Sequence, residues 1–341
     1  MPPIRRGLAR IAAALAGTAL GAAVIGPVSA GPAVNQFEVK DLEAEAGNIQ
    51  FQSQNAYSTG QPRRRTIETA PGEYAFDDNS VTRARLAQEL EVHLTDFFRM
   101  RVGLEFEKQR LDDPSTLERA DSYDSLKLSE LAIEGVLILV PPKQGLGIGL
   151  IAEYQHAVSS AEADTLFMGT ILQAVQGPWS ATANLFLVKT FSPLAANETG
   201  EAFRDNKWDF AYAAQLRYRY SQQLAFAVEG YGSVDRIANS GTPRDEALLF
   251  GRHDQHRVGP VVYYSFETGA GRLKDRFGAV KGVADDDDGP AAKGAKSGKS
   301  VKSSKRGDDD DPVATLGFGV LAGITPNTPD LTYKLSLEVE F

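Results

Sequence analysis

The chain has 341 residues, 45 acidic against 36 basic, a formal net charge of -9 and no cysteine. An acidic chain of this kind is poorly suited to a nucleic-acid partner, and without cysteine it draws no stability from disulfides. Mean hydropathy is mildly polar, at -0.26. No segment has the unbroken run of about 20 strongly apolar residues that a spanning helix needs.

Arg5, Arg6 and Arg10 precede an Ala-rich apolar run from Ile11 to Ile25, followed by Val28-Ser29-Ala30. Small residues at these positions fit a secretory signal peptide over 1–30, cut after Ala30. The alternative, a membrane anchor, needs a longer and more apolar run. Cleavage removes three arginines and no acid, so the mature charge is -9 minus 3, or -12. Residues 31–47 are acid-rich and read as a periplasmic lead-in.

Beyond residue 48 the apolar positions recur with a period of two, which places them on one face of a strand. The first strand lies near Asn48–Ser58. In the second, Leu86, Leu90, Val92 and Leu94 alternate with Arg85, Glu89, Glu91 and His93, with Gln88 on the apolar side. Thr95-Asp96-Phe97 makes the turn. In the third, Met100, Val102, Leu104 and Phe106 alternate with Arg99, Arg101, Glu105 and Glu107. Six more strands are predicted over Leu126–Val140, Leu146–His156, Thr165–Val175, Trp179–Phe191, Trp208–Tyr220 and Leu224–Val234, and a further pair over His256–Phe266 and Ala314–Thr325. Leu331–Phe341 closes the chain, with Leu331, Tyr333, Leu335, Leu337, Val339 and Phe341 on one side and only polar residues on the other. Links alternate between short turns and longer polar loops. The exception is 272–313, which contains two tetra-Asp runs, Asp285–Asp288 and Asp308–Asp311, around a Lys/Gly/Ser/Ala stretch. That composition buries too little apolar surface to join a core and reads as a disordered insertion.

About twelve two-faced strands behind an export signal predict an all-β fold over 48–341: a closed, antiparallel, up-and-down transmembrane β-barrel in a Gram-negative outer membrane. A soluble β-sandwich shares the alternation, but seldom needs so many long strands. Outward aromatics such as Phe106, Phe210, Tyr212, Tyr218, Tyr220, Phe226, Tyr264, Tyr333 and Phe341 fit girdles at the membrane interfaces. The expected partners are outer-membrane lipid, the barrel-assembly machinery through the C-terminal strand, and a small solute.

Alternation aims a charged set at the lumen: Arg85, Glu89 and Glu91 of the second strand, Arg99, Arg101, Glu105 and Glu107 of the third, then Glu130, Glu134, Glu153, Arg217, Arg219, Glu229, Lys334 and Glu338. Buried charges must be paired or hydrated. Two readings follow: a charged wall of a passive pore for small solutes, or a Glu/Arg network that closes a structural or surface-interaction barrel. Twelve strands lie between a barrel filled by side chains and one holding a channel. A third reading, a membrane-embedded lipase, rests on His156 with Ser159 or Ser160, but the His-x-Ser-Asn pattern of outer-membrane phospholipases is missing. His253 and His256 lack a third ligand nearby, so no metal, cofactor or catalytic residue is assigned.

The segment Glu89-Leu90-Glu91-Val92-His93-Leu94-Thr95-Asp96 resembles the acidic strand and Thr-Asp turn of transporter-like outer-membrane barrels. That group includes proteins associated with a phenol-degradation pathway and with solute uptake. Gly323–Asp330 is similar to the group's final outer loop. The resemblance implies the barrel and a transport role; it carries no substrate and no catalytic residue.

Overall fold

The computed structural model describes residues 37–62, 65–70, 73–77, 79–112, 125–142, 145–159, 163–191, 195–196, 202–203, 206–241, 254–268 and 313–341. The segment read as a signal peptide and nearly all of the expected acidic/basic insertion lie outside these residues. Val313, assigned above to the insertion, is instead the first residue of a strand, where it pairs with Glu267.

Twelve strands form the wall: β1 (Ile49–Pro62), β2 (Ser80–Thr95), β3 (Phe98–Leu111), β4 (Lys127–Val140), β5 (Leu146–Ala157), β6 (Asp164–Gln176), β7 (Trp179–Phe191), β8 (Trp208–Arg219), β9 (Leu224–Val234), β10 (Gln255–Glu267), β11 (Val313–Gly323) and β12 (Leu331–Glu340). Each pairs antiparallel with its chain neighbours, and β1 pairs with β12 from Gln50↔Glu340 to Thr59↔Leu331, so the sheet closes without an edge. Closure satisfies the backbone donors and acceptors that lipid would leave unpaired. Two short hairpins, Arg65–Ala70 with Glu73–Asp77 and Ala195–Ala196 with Ala202–Phe203, decorate the longer links.

The barrel has a turn end, where β2–β3, β4–β5, β6–β7 and β8–β9 connect tightly and from which the long β10–β11 link also leaves, and a loop end with the other links. Its outer surface is an apolar band in which Val102, Ile133, Leu187, Val228, Phe318 and Leu335 are exposed. In water such a band would drive aggregation; in a bilayer it is the contact surface. Trp179 lies tilted against Tyr218 (4.7 Å) and Tyr220 edge-on to Phe226 (6.2 Å) toward the turn end, while Phe210, Tyr212 and His256 cluster toward the loop end.

Two local exceptions have identifiable causes. Gln88 does fall on the outer face, where its amide donates to Ser53 Oγ (2.8 Å), and Asn55 donates to the same oxygen (3.1 Å). The three polar groups satisfy one another against lipid. Pro260 interrupts β10, and the β10–β11 register passes from Val258↔Ala322 to Val261↔Gly319 around it. A Cβ on Gly259 would run into the Val320 carbonyl, so glycine there permits the close approach beside a residue that cannot donate to the ladder.

Candidate functional site

Residues 37–46, expected to lie in the periplasm, run inside the barrel instead. From Gly47 the chain turns back into the lumen at the turn end and reaches the middle at Phe37. Gly47 makes the reversal with φ +95, a conformation that L-residues resist, and its N–H donates to the His93 carbonyl (2.8 Å). Phe37, Lys40 and Leu42 are all buried.

The segment belongs to no sheet, so wall side chains take up its backbone groups. Asn184 both accepts from Lys40 N–H and donates to the Lys40 carbonyl, each at 2.7 Å. Gln173 Oε1 accepts from Leu42 N–H (2.8 Å). Arg99 donates to the carbonyls of Asp41 (2.6 Å) and Glu43 (3.0 Å). His93 Nδ1 accepts from Glu45 N–H (3.2 Å), which places its proton on Nε2, facing Glu91 Oε1 at 2.8 Å. Asp96 takes Ala46 N–H (2.9 Å).

Two apolar anchors hold opposite walls. Leu42, 2% exposed, enters a pocket of Val136, Ile138, Ile151 and Ile171 on β4–β6. A Cβ on Gly147 or Gly149 would collide with the Leu42 methyls, so the glycines form the pocket floor. Phe37 packs on Ala56, Ala213, Tyr231 and Leu321, with its ring edge-to-face on Tyr231 at 5.5 Å.

Between the anchors lies the charge network. Arg101, 3% exposed, donates to Glu91 Oε2 (2.8 and 3.0 Å), Glu89 (2.8 Å) and Glu38, and lies 3.6 Å from Glu134. Lys40 bridges Glu38 (3.1 Å) and Glu134. Arg99 meets Glu91 and Asp41, each at 3.3 Å. Glu38 and Lys40 thus complete the wall network from inside. Burial alone would raise the Glu38 carboxyl, but Arg101 and Lys40 more than offset it and hold the group down at about 2. Burial alone would lower the Lys40 ammonium, as would Arg101, but Glu134 and Glu38 hold it above its ordinary value. At the turn-end mouth, the neighbouring Asp41 carboxylate and then burial push Glu43 up to about 7.

The remaining sequence candidates fall into separate groups. Arg85 bridges Glu105 (3.2 Å) and Glu107 (2.8 Å), and Arg83 joins Glu107 (3.0 Å). Across the lumen, Lys334 donates to Glu229 (2.7 Å) and Tyr231 OH (3.0 Å), and Gln215 also donates to Glu229 (2.7 Å). Arg217, one of the charged residues aimed at the lumen, lies over the Tyr263 ring at 5.2 Å and not on Glu229. The register explains this: Gln215 is opposite Glu229, while Arg217 is opposite Ala227, one step nearer the turn end. Arg219 is exposed there. Glu130 lies opposite Glu105, and Glu134 opposite Glu153, whose carboxylate takes Gln155 Nε2 (2.9 Å). Glu338 accepts from Gln50.

His156 Nδ1 is taken by Asp164 (2.9 Å), which also accepts from Tyr154 OH (2.7 Å) and Ala157 N–H (3.0 Å), so the imidazole is tied into a strand-end link. Ser160 and His253 lie outside the described residues. His256 is engaged by Tyr212 on the outer face, and among the described residues no group of His, Asp and Glu is arranged to hold a metal.

No known family's profile matches the sequence, and no curated protein sequence matches it. Solved structures do match. An outer-membrane channel from Pseudomonas putida F1 superposes with a TM-score of 0.55 at 10% identity, covering 89% of this chain and 98% of that one. The likeness is one of fold. The transport unit of the autotransporter AIDA-I from Escherichia coli (TM-score 0.43, 10% identity, 93% and 99% covered) and the NanC porin (0.40, 9%, 85% and 98%) are more distant.

The network around Arg101 was partly legible in Glu89, Glu91, Arg99 and Arg101. Glu38, Lys40, Leu42, Gln173 and Asn184 were missed. The signal that could have found them is the apolar lumen face of β4–β6, where Val136, Ile138, Ile151 and Ile171 demand a cover.

Proposed function

We propose that this protein is an outer-membrane pore for small solutes whose lumen is gated by its own N-terminal segment, residues 37–46. The turn end faces the periplasm, as in outer-membrane barrels. The carrying observation is the way the segment is held. It enters no sheet, its backbone is bound by side chains, and its anchors sit in lumen pockets. Withdrawing it would break no strand pairing and would uncover a polar path lined by Gln50, Gln52, Thr182 and Asn184.

A closed structural barrel is the second reading, favoured by the buried ionic network joining the segment to β2–β4. Liposome swelling separates the two. Barrels in which 31–46 are deleted, with the signal peptide joined to Gly47, should admit small sugars and organic acids much faster than the full chain. Equal impermeability of both would establish the structural barrel.

A further inference from the structure

Arg85, Arg99, Arg101, Lys40 and Lys334 each meet at least one carboxylate in the lumen; one cation of the loop-end half does not. Arg257 of β10 is 5% exposed and no carboxylate pairs with it among the described residues. Its Nη1 donates to Thr332 Oγ1 (3.1 Å) and its Nη2 to Gln255 Oε1 (2.9 Å), both neutral acceptors. Its buried Nε has no partner. Two of the five guanidinium donors are thereby used. Arg85 and Arg83, of its own sign, also act on it, and their charge is taken up by Glu105 and Glu107. The Phe37 ring covers it, with its centroid 4.8 Å from the guanidinium carbon.

A guanidinium without a counter-ion is costly to bury, and a phenyl face is a weak substitute for an anion. The free Nε and its neighbouring Nη form one edge of the fork that carboxylates engage bidentately. We propose that Arg257 is an anion-binding position of the lumen, that it takes the carboxylate of a small organic acid, and that Phe37 caps it while the internal segment is seated. Phe37 and the solute compete for one cation, so solute binding and withdrawal of the segment favour each other. The inference rests on the lumen being a solute path.

The test is calorimetric titration of benzoate onto the purified, folded barrel. The full chain should bind weakly, because Phe37 must be displaced. Phe37→Ala should tighten binding roughly five- to thirty-fold, the worth of a desolvated cation–π contact. Arg257→Gln added to Phe37→Ala should abolish it. Arg257→Lys, which keeps charge and loses the fork, should weaken it at least about ten-fold, and this variant decides the matter if the Gln variant does not fold. Benzoate affinity unchanged by either Arg257 substitution would overturn the site, and inorganic phosphate binding as tightly as benzoate would overturn the carboxylate assignment. Arg257-dependent binding in a barrel that passes no solute would refute the pore and leave the site; flux with Arg257-independent binding would do the reverse.

Discussion

Leu42→Ala should release the internal segment while leaving the barrel standing. Leu42 is 2% exposed among Val136, Ile138, Ile151 and Ile171. Truncating a buried leucine costs about 2–5 kcal/mol, the spread reflecting how well the site collapses or refills. This pocket opens onto a polar lumen that water can enter, which argues for the lower part, about 2–3 kcal/mol. At 1.4 kcal/mol per factor of ten, the population with the segment out should rise by roughly 30- to 150-fold. The cysteine-free sequence provides the assay: Val39→Cys introduces a single thiol on the segment, and its maleimide labelling rate tracks the open population when reseating is fast. The heat-modifiable gel shift should not change, because no strand pairing involves Leu42. Labelling at the same rate with and without Leu42→Ala would refute the account of how the segment is held.

Arg101→Gln leaves Glu38, Glu89, Glu91 and Glu134 without their shared cation and should lower barrel stability by about 3–5 kcal/mol in urea titration of the heat-modifiable form, with Glu89→Gln restoring part of it. An unchanged midpoint would mean the cluster is hydrated. The pH dependence has two arms. The depressed Glu38 carboxyl contributes seating free energy that is fully present above its ordinary value and is lost as pH falls toward 2. The raised Glu43 carboxyl favours the seated state at low pH, and that contribution fades as pH rises through about 7. Solute flux through the full chain should therefore be lowest near about pH 5 and rise on both sides; a monotonic profile would contradict this. On the outer face, Ser53→Ala strands the amide of Gln88 against lipid, while Asn55 keeps its bond to the Leu335 carbonyl (3.2 Å), and should cost about 1–2 kcal/mol, whereas Gln88→Leu should be neutral or stabilising.

The wall was legible in the sequence because lipid on one side and a polar lumen on the other impose a strict period of two. Strands such as β2, β3 and β12 carry that alternation almost without interruption, and the expected β4, β7 and β9 agree with the observed strands to within a residue. Pro260 did not hide β10, because the register is the same on both sides of it and the alternation stays in phase from Val258 to Val262. The internal segment was not legible for the opposite reason. Glu38, Asp41, Glu43 and Glu45 look like a solvated acidic stretch, and only the fold supplies Arg99 and Arg101 to receive the acids and Asn184 to receive the Lys40 backbone. Local patterning reports which face a side chain occupies; it does not report which distant chain will fill the space it faces. Arg257 is the same case, since that its partners among the described residues are neutral is visible only once Thr332 and Phe37 are in place.

The central claim is that a solute path exists and that residues 37–46 obstruct it. Single-channel recording in planar bilayers tests it most directly, comparing the full chain with the barrel lacking 31–46. The account predicts small or rare openings for the full chain and a steady, larger conductance after deletion, both from material that shows the folded gel shift. Identical silence from the two proteins, each folded and inserted, would contradict it.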